Sequence, residues 1–315
     1  MGQQELDAVI ATYGHTAALK DGTVSPAGFA LRFEEVPIII QAFRRMVRSL
    51  EFDVSEMAFT TYLCAKAHGV PFTALPLFVM RGFHHGAIVY NPDSTITHPK
   101  DLEGRRVGVN RGYTVTTGVW ARGILQDDYD VDLSRVTWVL SGDEHVQAYQ
   151  PPANVVPMRS GGDLASMVVA GELDAAIGIP VDRPGLATLI TNAAEVGIDA
   201  LRQHGLYPIN HLIVVKDEVL AAHPDLAPAL FQAFVEAKVP YVTRLHHGAD
   251  AASTEADTRY RTVMSVLGGD PLPYGIAPNR PIIDLLIDHA ISQGILDRPR
   301  DVADLFAAGT LDLVG

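Results

Sequence analysis

Residues 52–62 read FDVSEMAFTTY. A short apolar strand, carried by Phe52 and Val54, runs through Ser55 and Glu56 and at once into an apolar, helix-like stretch. Strand followed directly by helix is the half-unit of an open α/β sheet, and the junction between them is where such sheets place their ligands. Two readings of Glu56 therefore stand side by side. Its carboxylate faces a substrate, or it sits in the first turn of the helix, where the macrodipole favours negative charge.

The same alternation extends in both directions. LDAVIAT and GFALRF are strand-like, and PIIIQAFRRMVRSL places Phe43, Met46, Val47 and Leu50 on one helical face. ALPLFVM, GAIVY, RRVGV, VTWVL and DAAIGI are further strands. Before the last of these, Asp163 opens a helix whose Leu164, Met167 and Val168 face inward, and Gly171 closes it. The pattern predicts an α/β protein of two lobes, each a mostly parallel sheet flanked by helices. Two β runs, GAIVYNPDSTITHPKDLEG and YPINHLIVVKDEVLAAHPDL, read as connectors. They divide the chain into an outer lobe, residues 1–90 plus 211–315, and an inserted central lobe, residues 91–210, with a ligand cleft between them. Residues 180–205 read as a loose segment, and the last hundred residues as chiefly helical.

The 315-residue chain carries 24 Lys and Arg against 37 Asp and Glu, a formal charge of −13. A groove that tracks phosphates needs the opposite balance, so nucleic acid is not an expected partner. An acidic protein still binds a small anion where a few cations converge. Cys64 is the only cysteine, which excludes an intrachain disulfide and a multi-cysteine metal site. The first residues, MGQQELDAVIATYGHT, lack a basic segment followed by a long apolar run, and no stretch is long enough to span a bilayer. The expectation is a cytoplasmic protein with no membrane partner.

Several blocks resemble the 4,5-dihydroxyphthalate decarboxylase family. They are AFRRMVRSLEFDVSEMAFTTYL, DLEGRRVGVNRGYTVTTGVWARGILQDDY, GELDAAI, YPINHLIVVKDEVLAAHPDLAPALFQAF and GGDPLPYGIAPNR, in the family's order over nearly the whole chain. Pro273–Arg280 and Trp120–Gln126 are the more specific blocks, whereas GELDAAI is shared with solute-binding proteins. The resemblance implies a type II periplasmic-binding-protein-like fold and removal of one carboxylate from a catechol dicarboxylate to give protocatechuate. It implies no organic cofactor, and an oligomer from family habit alone. Where the family pattern has Tyr-Asp-Arg-Thr-Arg, this chain has Tyr13-Gly14-His15-Thr16-Ala17, and Arg-x-Phe-Arg-His becomes Arg81-Gly82-Phe83-His84-His85. Arginine grips a carboxylate with a permanently charged fork that histidine does not match. The expected substrate is thus 4,5-dihydroxyphthalate or a less charged aromatic acid. The competing reading is a solute-binding protein of a transporter, which closes on a small organic anion without turnover; fold alone does not separate the two.

Decarboxylation places electrons on a ring carbon, so the site needs an acid over the ring, an acceptor at a phenol oxygen and cations for the acid group. Glu56 is the leading acid/base candidate, with burial expected to raise its pKa toward neutrality. His84 and His85 follow a strand end, and adjacent residues on an extended chain face opposite ways, so one of the two is expected in the cleft. Tyr13, His15, Thr60, Tyr62 and Arg81 are further candidate contacts in the outer lobe. In NRGYTVTTGVWARG, Thr114, Thr116 and Thr117 precede a helix whose free N–H groups suit a carboxylate, or else simply cap it. Asn210 and His211 lie in the second connector. Trp120 reads as core and Arg122 as surface, His246 and His247 as a solvent-exposed pair, and Arg280 as either a cleft cation or a structural clamp. Without His-Glu-x-x-His or clustered Cys/His spacing, no metal is expected.

Overall fold

The computed structural model describes residues 3–159, 161–248 and 253–315. From the amino end the elements are β1 (Gln4–Val9), α1 (Ala17–Lys20), β2 (Phe29–Phe33), α2 (Ile40–Ser49), β3 (Val54–Ala58), α3 (Phe59–Ala67) and β4 (Phe72–Arg81). Then follow β5 (Ile88–Tyr90), β6 (Arg106–Val109), α4 (Thr116–Tyr129), β7 (Thr137–Leu140), β8 (Val155–Pro157), α5 (Leu164–Val169), β9 (Ala175–Ile177) and β10 (Ala187–Thr188). The chain ends with α6 (Ala193–His204), β11 (Ile209–Lys216), α7 (Asp217–Ala222), α8 (Leu226–His246), α9 (Glu255–Leu267) and α10 (Arg280–Ser292).

The strands form a five-stranded sheet of order β2-β1-β3-β11-β4 and a six-stranded sheet of order β10-β5-β9-β6-β7-β8. Each sheet has one strand running against the rest: β11 in the first and β5 in the second. These are the strands on which the chain enters each sheet after crossing over, so both connectors pair within a sheet. Ile88–Tyr90, placed with the outer lobe on sequence, belongs to the second sheet.

The loose segment expected at 180–205 is instead strand β10 and the twelve-residue α6. Its periodicity is faint because the helix buries little beyond Gly197 and Leu201. Gly197 stands where a larger residue would alternate, since a Cβ there would meet the Phe83 ring at 2.8 Å. Arg122 is a second correction. It lies fully buried on α4, a helix packed against α3 and α10. Its guanidinium covers the Tyr113 ring at 3.8 Å and donates to Tyr113 O and Gln293 Oε1.

One buried apolar cluster runs through both lobes, from Val9 and Met57 to Val107 and Trp138. Polar ties reinforce it: Thr60 Oγ1 donates to Thr114 O at 2.6 Å, and Trp120 Nε1 donates to Ile209 O at 2.9 Å. The lobes are thus packed together around a small internal site. Among the described residues no helix is long and apolar enough to cross a membrane.

Candidate active site

Strand β3 lies between β1 and β11, and all five of its residues are buried. A carboxylate in such a strand must find hydrogen-bond donors, because an unpaired buried charge costs several kcal/mol. Glu56 has three. Ala11 N donates to Oε2 at 2.9 Å, Tyr13 Oη donates to Oε1 at 2.7 Å, and His211 Nδ1 lies 2.6 Å from the same Oε1. Burial alone pushes this carboxyl up, but the histidine and the two other donors together outweigh it and hold the group below its usual range. Tyr13 is driven the other way, its phenol raised by burial and by the adjacent carboxylate. Glu56 is therefore an ionised acceptor inside the strand. The helix-cap reading fails, because α3 is entered through Ala58 with no side-chain cap; the raised-pKa acid fails as well.

With Nδ1 engaged by Glu56, His211 presents Nε2 to a small chamber of about 20 Å³. The pairing of β11 with β4 slips on both sides of His211. Such a bulge re-aims side chains, and here the consecutive Asn210 and His211 both line the chamber. Arg111, Thr61, Thr116, Thr117 and His145 complete its polar wall, and Phe43 sets its ring edge-on to His211 at 5.0 Å and to His145 at 6.4 Å. Three of these residues carry a buried polar atom with no hydrogen-bond partner: Thr61 Oγ1, Arg111 Nε and His145 Nδ1. Native interiors rarely leave such groups unpaired except at functional sites.

Arg111 follows β6 with a left-handed φ of 74°, a strained conformation for a non-glycine residue. Ser141 Oγ accepts its backbone N–H at 2.8 Å and steadies the turn. No carboxylate among the described residues pairs with its guanidinium, and desolvation lowers its pKa. His145 is pulled down to about 4 by burial first, then by the charges of Arg44, Arg111 and Arg48, so it is neutral at pH 7. The chamber thus combines one unpaired cation, one neutral imidazole and one carboxylate-backed imidazole.

Thr117 and Asn210 also line a larger outer pocket of about 620 Å³, bounded by the crossover segment 80–86, α6 and α9. His84 sits there with Nε2 3.0 Å from Asn210 Oδ1, and burial lowers it to about 4. His85 faces the other way, toward Asp128 on α4 at 3.7 Å, and lines neither pocket.

A 4,5-dihydroxyphthalate decarboxylase of Pseudomonas putida is 32% identical over 190 residues, covering 56% of this chain and 71% of that protein. The chain belongs to the 4,5-dihydroxyphthalate decarboxylase family. The Comamonas testosteroni 4,5-dihydroxyphthalate decarboxylase is 27% identical over 335 aligned positions, 99% of each chain. No family model matches. Among solved structures, a putative periplasmic sulfonate-binding protein of Methylobacillus flagellatus superposes with a TM-score of 0.52 at 12% identity, over 96% of this chain and 91% of that one. The desulfurization enzyme DSZB superposes with a TM-score of 0.52 at 14% identity, over 97% and 96%. At these identities the likeness shows the fold, that of periplasmic binding proteins.

Within this decarboxylase-family chain, several expected contacts lie elsewhere. His15 lines neither pocket; it is stacked on Tyr13, flanked by Tyr241 and Tyr260, and its Nε2 is 3.0 Å from Val79 O. Gly14 makes that aromatic nest feasible, since a Cβ there would collide with the Tyr241 ring at 2.0 Å. The loop that carries arginines in the family pattern is packing here. Tyr62 is core, its hydroxyl donating to Leu305 O. Arg81 touches the outer pocket, but its two terminal guanidinium nitrogens donate to Tyr207 O, Pro273 O and Asn279 Oδ1, which clamps the carboxyl-terminal loop and leaves only a buried Nε without a partner. Thr60 bonds Thr114 and Thr116 across the lobes. Arg280 pairs with Asp284 on the surface at 2.8 Å.

The threonine loop does bind a carboxylate, but an internal one. Glu144 accepts from Tyr113 N, from Thr114 N at 3.2 Å and from Thr114 Oγ1 at 2.6 Å. Thr114 is therefore engaged by Glu144 and not free for a substrate, while Thr116 and Thr117 line the chamber wall. Arg111 and His145 were missed on sequence. Each follows the carboxyl end of a parallel strand, β6 and β7, so the rule that singled out Glu56 would have found both.

Proposed function

We propose that the protein decarboxylates an aromatic hydroxy acid, 4,5-dihydroxyphthalate or a close relative, by acid–base chemistry at the mouth of the chamber, whose own volume of about 20 Å³ takes only the reacting groups while the ring lies in the adjoining outer pocket. Three unpartnered polar atoms converge there beside a carboxylate-backed imidazole, and that convergence carries the reading. Arg111 anchors the carboxylate that stays on the ring. Neutral His145 accepts a hydrogen bond from the hydroxyl para to the departing carboxylate and takes its proton only as the ring carbon is protonated, because at about 4 it is too weak a base to make a free phenolate first. Electron density moves to the carbon bearing that carboxylate, and protonated His211, held by Glu56, delivers its Nε2 proton there. The C–C bond then breaks, its electron pair restores the aromatic ring, and CO₂ leaves. His145 returns its proton to the phenolate oxygen, and solvent reprotonates His211, so one proton is consumed per turnover. Phe43 and Val115 give the departing carboxylate no counter-charge, which favours loss as neutral CO₂.

Incubation with 4,5-dihydroxyphthalate and related hydroxybenzoic acids, following CO₂ release, tests this. Turnover that is lost in His211→Gln supports the mechanism. Tight binding of such an acid with no release would leave a protein that only binds its ligand.

A further inference from the structure

The outer pocket is out of proportion to the substrate just described. A dry cavity of about 150 Å³ already accepts a benzene ring, whereas this pocket holds about 620 Å³ and adjoins the chamber through Thr117 and Asn210. One wall is apolar: Met80 and Phe83 from the crossover, and Ala193, Ala194 and Ile198 from α6. The opposite wall is one stripe of α9, in which the charged Glu255 and Arg259 alternate with the hydroxyls of Thr258 and Thr262. At the throat His84 is uncharged near neutral pH.

A mere corridor for a small dianion would be penalised by these walls, since desolvating a carboxylate against apolar side chains is costly. An apolar group entering the same space gains by leaving water. Resting on the decarboxylase reading of the chamber, we infer that the substrate is an aromatic acid bearing an apolar arm of about a second ring, which lies in the outer pocket against α6. The anchored carboxylate reaches Arg111, the reacting ring spans the throat between Thr117 and Asn210, and the arm extends toward α9. The chamber selects the acid group and the outer pocket selects the arm.

The test is calorimetric binding of 4-hydroxybenzoates carrying hydrogen, butyl or phenyl at the 3-position, with 4,5-dihydroxyphthalate turnover measured on the same sample. Affinity should rise about tenfold or more from hydrogen to phenyl, the scale on which apolar pockets discriminate. In Ala194→Trp, which fills the pocket from the exposed side of α6, the ratio of armed to bare acid should collapse toward one. A flat series alongside turnover of 4,5-dihydroxyphthalate overturns the arm and leaves the decarboxylase reading standing. Absence of both binding and turnover overturns both. A wild-type gain that survives Ala194→Trp unchanged puts the arm elsewhere and also overturns the inference.

Discussion

Glu56 Oε1 lies 2.6 Å from His211 Nδ1 and accepts a second hydrogen bond from Tyr13 Oη at 2.7 Å. One fully buried oxygen therefore orients an imidazole on a neighbouring strand and is itself held in place by a phenol. The arrangement fixes which ring nitrogen faces the chamber and balances the charge of a protonated ring. Glu56→Gln keeps the shape and removes the charge. The expected outcome is a fall in kcat of about 10²–10⁴-fold with little change in KM, in a variant that still folds. Combining it with His211→Gln should cost little more than His211→Gln alone, because the two act as a unit. Steady-state kinetics on the three variants check this; additive losses would count against a dyad.

Stability should be acid-sensitive in two stages. His15, His84 and His145 are each lowered from 6.5 to about 4 by burial. Between those values the unfolded chain binds protons that the folded chain refuses. Stability therefore falls as pH drops from 6.5, by up to about 1.4 kcal/mol per unit for each histidine. Glu56 is held below its ordinary 4.5, so its contribution is complete above that pH and is lost as pH falls further. Urea midpoints from pH 8 to pH 4 should decline from near 6.5 and steepen below 4.5. His15→Phe should flatten the first stage, whatever it does to absolute stability.

Much of this was legible in the chain because strand and helix alternate with little interruption, and because apolar residues on α2 and α8 keep helical spacing. What sequence hid was direction. Glu56 reads as a helix cap or a substrate-facing acid only until β11 is laid beside β3, and that antiparallel pairing joins residues 155 positions apart. His84 and His85 are neighbours in sequence, yet His84 faces the outer pocket while His85 turns away toward Asp128 on α4. Arg122 reads as surface because one sequence does not reveal that α4 is covered on several sides. Thr114 reads as a substrate donor because the carboxylate it binds arrives from Glu144, thirty residues on.

Arg111 stores strain and an unpaired charge at the same position. Arg111→Lys keeps a charge but loses the planar fork, so KM for an aromatic acid should rise about 10–100-fold with a smaller effect on kcat. Arg111→Gly removes the cation and accepts the left-handed backbone without strain. Its expected signature is opposed: binding lost, thermal stability raised by about 1 kcal/mol or more. Kinetics paired with thermal denaturation read both. A glycine variant that binds normally would leave the anchor elsewhere.

The loop that carries His145 to the chamber is tied to α2 of the other lobe by exposed charges. Asp143 receives Arg44 at 2.6 Å and Arg48 at 2.8 Å, and Arg48 also donates to the Glu144 and His145 carbonyls at 2.8 and 3.2 Å. With Asp143 60% exposed, these pairs add at most about 1 kcal/mol to stability. Their leverage lies in geometry instead, because they set how closely His145 approaches Phe43 and Arg111. Exposed pairs are screened at a Debye length of about 10 Å in 0.1 M salt. The KM of the native protein should therefore rise severalfold between low salt and about 0.5 M. Asp143→Asn should begin with the higher KM and respond to salt less, while unfolding at nearly the native temperature. Parallel salt curves for the two proteins would show that the loop is positioned by its backbone alone.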